Sequence, residues 1–316
     1  MNFLTLLLIR LIMEFKILES KEIDKFIWDS RVDDSENRSL FGYSWYLDII
    51  CPNWCALIIG DYEYFLPLPY KKFLWWKIVY VPPFSSRFTF FSKHSLDVLL
   101  FKEVINFLSN RFKFLSFNIE EYQSVSENIF FEKKYFQKLK LENNYSEIYI
   151  NYSKSHKRNL LKSQKNSIEI SETKDFKNLI SMQKELFFKK NIKIKNKHFE
   201  RLSMFFDEII KKGLAFLIEA KKDDNVFCSI LFLEFKNYVT IFSATNEEGK
   251  KNGAFFLLMD YYIRKNSNSQ KIIDFAGSSI KGIKERNLGF GAEDFEYFSI
   301  WSKDLYKIFN ILKKRH

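Results

Sequence analysis

The chain has 316 residues, of which 47% are hydrophobic and 18% aromatic, and its 50 Lys and Arg against 39 Asp and Glu give a net charge of +11. That length accommodates one large or two medium domains, and an aromatic content this high with only 9 Gly and 5 Pro excludes a disordered or low-complexity chain. Three cysteines (Cys51, Cys55, Cys228) with no neighbouring His or second Cys pair exclude a disulfide framework and a paired-cysteine zinc site, and fit a reducing, cytoplasmic compartment.

Residues 1–12 are apolar but interrupted by Arg10 and lack a basic leader and a small-residue cleavage site. They fall short of the roughly 20 residues that span a bilayer and read as a dispensable extension, with Met13 as an alternative start. A strand is predicted over 14–19, a helix over 21–31, and strands over 54–60, 62–68 and 76–81, edged by Pro69, Pro82 and Pro83. Apolar residues at 96, 99, 100, 104, 107 and 108 predict a helix over 96–108, followed by a strand at 112–119. These elements make up an expected N-terminal lobe, 13–150.

The composition changes at 151–166, which holds five Lys or Arg, one His and only two Leu. This is a basic helix with Ser153 or Ser155 as its N-cap. Beyond it the patterns predict a strand (168–172), two helices (175–190, 196–212) and three strands (214–220, 226–235, 238–245). A helix near 252–265, a strand (271–275), a helix (279–288), a strand (293–301) and a helix (303–314) complete an expected C-terminal lobe, 151–316. Turns at Asp223–Asn225 and Lys236–Asn237 predict antiparallel hairpins, and the crossover helices require a mixed sheet. The fold class is α/β, mixed α+β, in two lobes.

Two stretches carry chemistry. Strand 238–245 runs into Asn246-Glu247-Glu248-Gly249-Lys250-Lys251-Asn252-Gly253-Ala254, which reads either as an ordinary polar turn or as a glycine-bearing loop opening a helix. In the second reading, backbone N–H groups from Thr245 to Ala254, Lys250 and Lys251 would hold a phosphate or carboxylate. The second stretch is Ile273-Asp274-Phe275-Ala276-Gly277-Ser278-Ser279, a strand ending in Asp-Phe before a Gly-Ser turn, followed by Leu288-Gly289-Phe290-Gly291-Ala292. No phosphate-binding Walker loop, six-residue dinucleotide fingerprint, paired-His metal motif or Gly-x-Ser-x-Gly elbow is present.

Together with the run Lys154-Ser155-His156-Lys157-Arg158-Asn159-Leu160, these stretches resemble the C-terminal half of the GNAT superfamily, and more narrowly the Fem-type aminoacyltransferases. The resemblance covers 150–300, and the first lobe by position and by Tyr43–Asp48. It implies two GNAT-like lobes and N-acyl transfer to an amine acceptor from acyl-CoA or aminoacyl-tRNA, with no permanently bound cofactor. The loop departs from the full acyl-CoA signature, because Lys250 stands three before Gly253 and Phe255 two after it. Asp274 or Glu248 is the expected proton acceptor. Thr245, Gly249, Lys250, Lys251, Asn252, Gly253 and Ala254 are expected at the donor, and Lys154, His156, Lys157, Arg158, Asn159 and Ser278 at the substrate. The basic balance equally suits a non-catalytic protein that binds nucleic acid, tRNA included, or an anionic membrane surface. A degenerate transferase without turnover is a third reading.

Overall fold

The computed structural model describes residues 13–85, 88–94, 96–120, 129–276 and 280–306. They form two compact units: the described residues up to Lys134 together with those from Glu296 onward, and Tyr135–Phe295.

In the first unit, β1 (Phe15–Glu19), β2 (Trp54–Ile59), β3 (Tyr64–Phe73) and β4 (Trp76–Val79) form an antiparallel sheet in chain order, with β5 (Phe91–Ser92) added to β3. Helix α1 (Lys25–Asp34) begins four residues later than its pattern suggested. Asp24 caps it, its carboxylate accepting from Phe26 N and Ile27 N. Helix α2 (Ser44–Ile50) covers the Tyr43–Asp48 stretch, and α3 (Val98–Arg111) buries Leu100, Phe101, Val104, Ile105 and Leu108 on one stripe. β6 (Ser116–Ile119) completes the core by pairing with Phe298–Trp301. A second cluster centres on Trp28, which is fully buried against Trp54 and Phe65, with its indole N–H donating to Gly42 O at 2.7 Å.

The second unit is built on the strand order β7-β12-β11-β10-β9-β8. Its strands are β7 (Ile129–Lys140), β8 (Glu169–Thr173), β9 (Ala215–Lys222), β10 (Asn225–Phe235), β11 (Tyr238–Thr245) and β12 (Ile272–Asp274). Neighbours are antiparallel except β11 and β12, which run parallel. The unit boundary at 134/135, rather than the expected 150/151, follows from β7. Its segment Phe131–Lys138 shows no apolar alternation, so no strand was predicted there, yet Lys138–Lys140 pair with Asp274–Ile272 and draw Tyr135 onward into the second sheet. Residues from Glu296 return to the first unit along β13 (Glu293–Ser302), whose far end pairs with β6.

Side-chain alternation splits this sheet into two faces. Ile218, Ala220, Cys228, Ile230, Phe232, Val239, Ile241 and Ile273 join the core beneath α9 (Ala254–Asn266). The opposite face, with Leu217, Leu231 and Phe242, lies under α6 (Lys177–Lys189) and α7 (Asn196–Lys211), where Phe205 and Phe206 meet Phe242. Helices α4 (Tyr145–Ile150), α5 (Lys154–Lys165), α8 (Glu247–Asn252) and α10 (Lys281–Leu288) complete the unit. No helix among the described residues is long and apolar enough to cross a membrane. The expected segments 1–12 and 307–314 lie outside the described residues.

Trp28→Ala removes a fully buried indole and leaves a cavity, so it should destabilise the first unit by about 3–5 kcal/mol, read as a lower urea midpoint.

Candidate functional site

The parallel pairing of β11 and β12 is brief. It covers Tyr238↔Ile272, Val239↔Ile273 and Thr240↔Asp274, after which Phe275 N turns to Gln137 O of β7 at 3.0 Å. β11 continues to Thr245, still paired with β10 as far as Cys228. Asn237 O accepts from Ile272 N, so strand alternation directs the backbone groups of Val239, Ile241, Ser243 and Thr245 to the β12 side. Past Asp274 no described strand lies there. The two strands form a fork whose open side carries the N–H groups of Ser243 and Thr245.

Below the fork, Cys228 Sγ lies 3.1 Å from Thr245 Oγ1, on the α9 face. Burial pushes the Cys228 thiol up to about 12, so it stays a neutral thiol near neutral pH. A buried amide network stands beside it: Asn287 Nδ2 donates to Gln137 Oε1 (2.9 Å), and Gln137 Nε2 donates to Asp294 Oδ1 (2.8 Å), which also pairs with Lys284. Asp274 is buried in register with Thr240, on the α6/α7 face, and accepts from Ala276 N at 2.8 Å. Asp274 and Thr245 therefore occupy opposite faces of the sheet.

The segment 246–253 is not an open loop. Asn246 caps it by accepting from Gly249 N (2.7 Å), and α8 carries Glu247 and Glu248 in its first turn and Lys250 and Lys251 in its last. The pairs Lys250–Glu247 (2.6 Å) and Lys251–Glu248 (2.8 Å) close on the helix surface. The capping Asn and the charge order make this sequence helical, a signal the glycine spacing obscured. Both glycines face the protein itself. A Cβ on Gly249 would lie 2.2 Å from Phe227 O, and one on Gly253, whose φ is +72°, would lie 2.3 Å from Asn159 O. Asn252 Oδ1 accepts from Asn166 Nδ2 (2.7 Å), and Ala254 is buried in the core. Gly253 lets α5 pack directly on the start of α9.

Helix α5 starts at Ser153, whose hydroxyl accepts from His156 N (3.2 Å). His156 is buried edge-on to Phe256 and Phe290, with Nδ1 2.7 Å from Ser153 Oγ and Nε2 2.7 Å from Arg286 O. A carbonyl can only accept, so Nε2 carries the proton and Nδ1 accepts from the serine. Neither ring nitrogen is left for a substrate. Lys157 Nζ donates to Ile150 O at 3.0 Å, and Asn159 Nδ2 to Ser155 O at 3.0 Å. Lys154 and Arg158 are exposed, in line with Lys162 and Lys165. Ser278 lies outside the described residues. The fold thus joins Asn159 to Gly253 and leaves the basic residues on the outer face of α5.

Sequence reasoning missed Gln137, Asn287, Arg286 and Glu219. Gln137 sits in a strand without a period, and Arg286 and Asn287 stand among the charged residues of α10. Glu219 did carry a signal, a charge amid the apolar run Phe216–Ala220. It is buried opposite Ser229 with Asn178 Nδ2 at 3.1 Å, and burial raises its pKa.

No family model and no curated protein matches the sequence. Solved structures do match in three dimensions. FemX is 12% identical, with a TM-score of 0.58 over 90% of this chain and 96% of that one. A tandem GNAT protein from the clavulanic acid biosynthesis pathway is 11% identical, with a TM-score of 0.51 over 92% and 97%. The chain has a GNAT-like, Fem-type fold. L-PGS from Bacillus licheniformis shares it at 8% identity and a TM-score of 0.50, over 92% of this chain and 96% of that one. In this GNAT-like fold the fork belongs to the second unit, and both sheets are largely antiparallel.

Two outcomes follow. Gly253→Val combines a strained positive φ with a backbone clash, so it should lower stability by well over 1 kcal/mol in calorimetry without any ligand. Burial, with the Arg286 charge acting in the same direction, holds the His156 pKa below 6.5. Its contribution to stability is complete above that ordinary value and is lost as pH falls towards the lower folded value. A His156→Gln variant should flatten the corresponding part of the melting-temperature profile.

Proposed function

We propose that the chain is an acyl-transfer enzyme that moves an acyl or aminoacyl group from acyl-CoA or aminoacyl-tRNA to an amine. The observation that carries this reading is the fork, where the backbone N–H groups of Ser243 and Thr245 face no described strand, within a fold shared with FemX and a tandem GNAT protein. In such a transfer the amine nitrogen bonds to the carbonyl carbon, the bond to the donor's sulfur or oxygen breaks, and the amine loses a proton. Preorganised N–H donors stabilise the oxyanion formed on the way. Asp274, where the strands part, is the assigned proton acceptor; Glu248 is the less favoured one, being exposed and tied to Lys251. The donor lies beside Thr245 and the exposed surface of α8 at Glu247, Glu248, Lys250 and Lys251. Lys154 and Arg158 engage the anionic part of a substrate. The reading requires no resident cofactor and places the reaction in the cytoplasm.

The exposed row Lys154, Arg158, Lys162 and Lys165 favours a second reading, a binding protein for nucleic acid or an anionic membrane surface. A thermal-shift screen against acetyl-CoA, longer acyl-CoAs, aminoacyl-tRNA, uncharged tRNA and bulk RNA at two salt concentrations separates the two. Stabilisation by a CoA ester, or by charged but not uncharged tRNA, supports transfer. Salt-sensitive binding of any RNA with silence towards every donor supports the second reading. Lys154→Ala with Arg158→Ala should weaken binding of the anionic ligand and leave stability within about 0.5 kcal/mol, since both side chains are exposed.

A further inference from the structure

Arg286 stands on α10 with its guanidinium carbon 3.8 Å from the centre of the Phe255 ring. Its Nε is enclosed and, among the described residues, has no hydrogen-bond partner; the side chain makes a long contact from Nη2 to Asn287 Oδ1, 3.4 Å. No carboxylate among the described residues pairs with it. Asp294 is engaged by Lys284 and Gln137, and Glu285 faces Lys281. The nearby Cys228 thiol is neutral and supplies no counter-charge. The segment 277–279 is Gly-Ser-Ser and carries no charged side chain. Burial lowers the guanidinium to about 10, so it remains a cation near neutral pH.

A cation withdrawn from water without a partner is costly, and an apolar side chain of similar volume would serve packing better. Stacking on Phe255 fixes the plane of the guanidinium but leaves its Nε–H edge unsatisfied. The residue as a whole is half-buried, so it keeps some contact with solvent. We infer that Arg286 anchors an oxyanion subsite on the α9 face of the second unit, taking two oxygens of a carboxylate or phosphate through its Nε–H and adjoining Nη–H. The matching fork of donors is what makes guanidinium suited to such groups. Binding there is read without donor, acceptor or turnover, so its failure is distinguishable from failure of the proposed transfer reaction.

The test is a titration of the full chain with sodium acetate and with sodium phosphate, against sodium chloride at matched ionic strength, following arginine Nε–H resonances by NMR. Arg286→Lys keeps the charge, removes one resonance and thereby assigns it. Expected is a saturable shift of that resonance with acetate or phosphate and none with chloride; the more effective anion tells a carboxylate ligand from a phosphoryl one. Arg286→Met should weaken binding of that anion roughly ten- to hundredfold, the loss that accompanies removal of a charged hydrogen-bonding partner, and Arg286→Lys by less. An assigned resonance that neither anion moves overturns the inference. So does a Met variant that binds as tightly as the wild type. If the Met variant does not fold, the wild-type titration and the Lys variant decide.

Discussion

The second unit depends on one short ladder, the three-residue parallel pairing of β11 with β12. A parallel pair needs a crossover between its strands, and α8 with α9 supplies it, so the ladder dictates that a helix begins where β11 ends. Because the ladder stops at Asp274 while β11 runs on to Thr245, the backbone donors of Ser243 and Thr245 face no described strand. A sheet of continuous pairing would have no such groups to offer. On the proposed reading, these are the groups that would meet a carbonyl oxygen.

Around the fork, packing decides which polar residues are free to meet a ligand. Gly253 lets α5 approach α9 within backbone contact, and His156 then ties α5 to α10 through the Arg286 carbonyl. That arrangement consumes Asn159, His156 and both glycines in internal contacts. It also sets Arg286 on Phe255 with its charge unanswered, and it leaves Lys154 and Arg158 outside. Residues that looked functional in one dimension, such as His156 and Gly253, hold the unit together, whereas Arg286 stacks on Phe255 with its Nε enclosed. Surface pairs such as Lys251–Glu248 contribute little to stability and chiefly keep α8 solvated.

Much of this architecture was legible from local pattern. The antiparallel strands 226–235 and 238–245 matched β10 and β11 within a residue because apolar runs bounded by turn residues have few alternatives. The N-cap, legible as Ser153 or Ser155 and found at Ser153, and the apolar stripe of α3 were legible for the same reason, since capping and periodicity act within one or two turns. β7 was not legible, because long-range pairing holds a strand whose composition lacks any period. Nor was the helical state of Glu247–Asn252, where an Asn cap and ordered charges outweighed two glycines.

By itself, then, the sequence determined two lobes of mixed α and β structure, a largely antiparallel second sheet with a crossover, the basic helix and a resemblance to GNAT and Fem-type enzymes. These follow from local propensity, hydrophobic period and short motifs. Only the tertiary structure decided where the units divide, which face of the sheet each carboxylate occupies, that the glycines serve helix packing, and that Arg286 has an enclosed Nε and no counter-ion among the described residues. Burial and partnership are properties of residues far apart in the chain, such as Gln137 with Asn287 and His156 with Arg286, and no window of sequence contains them.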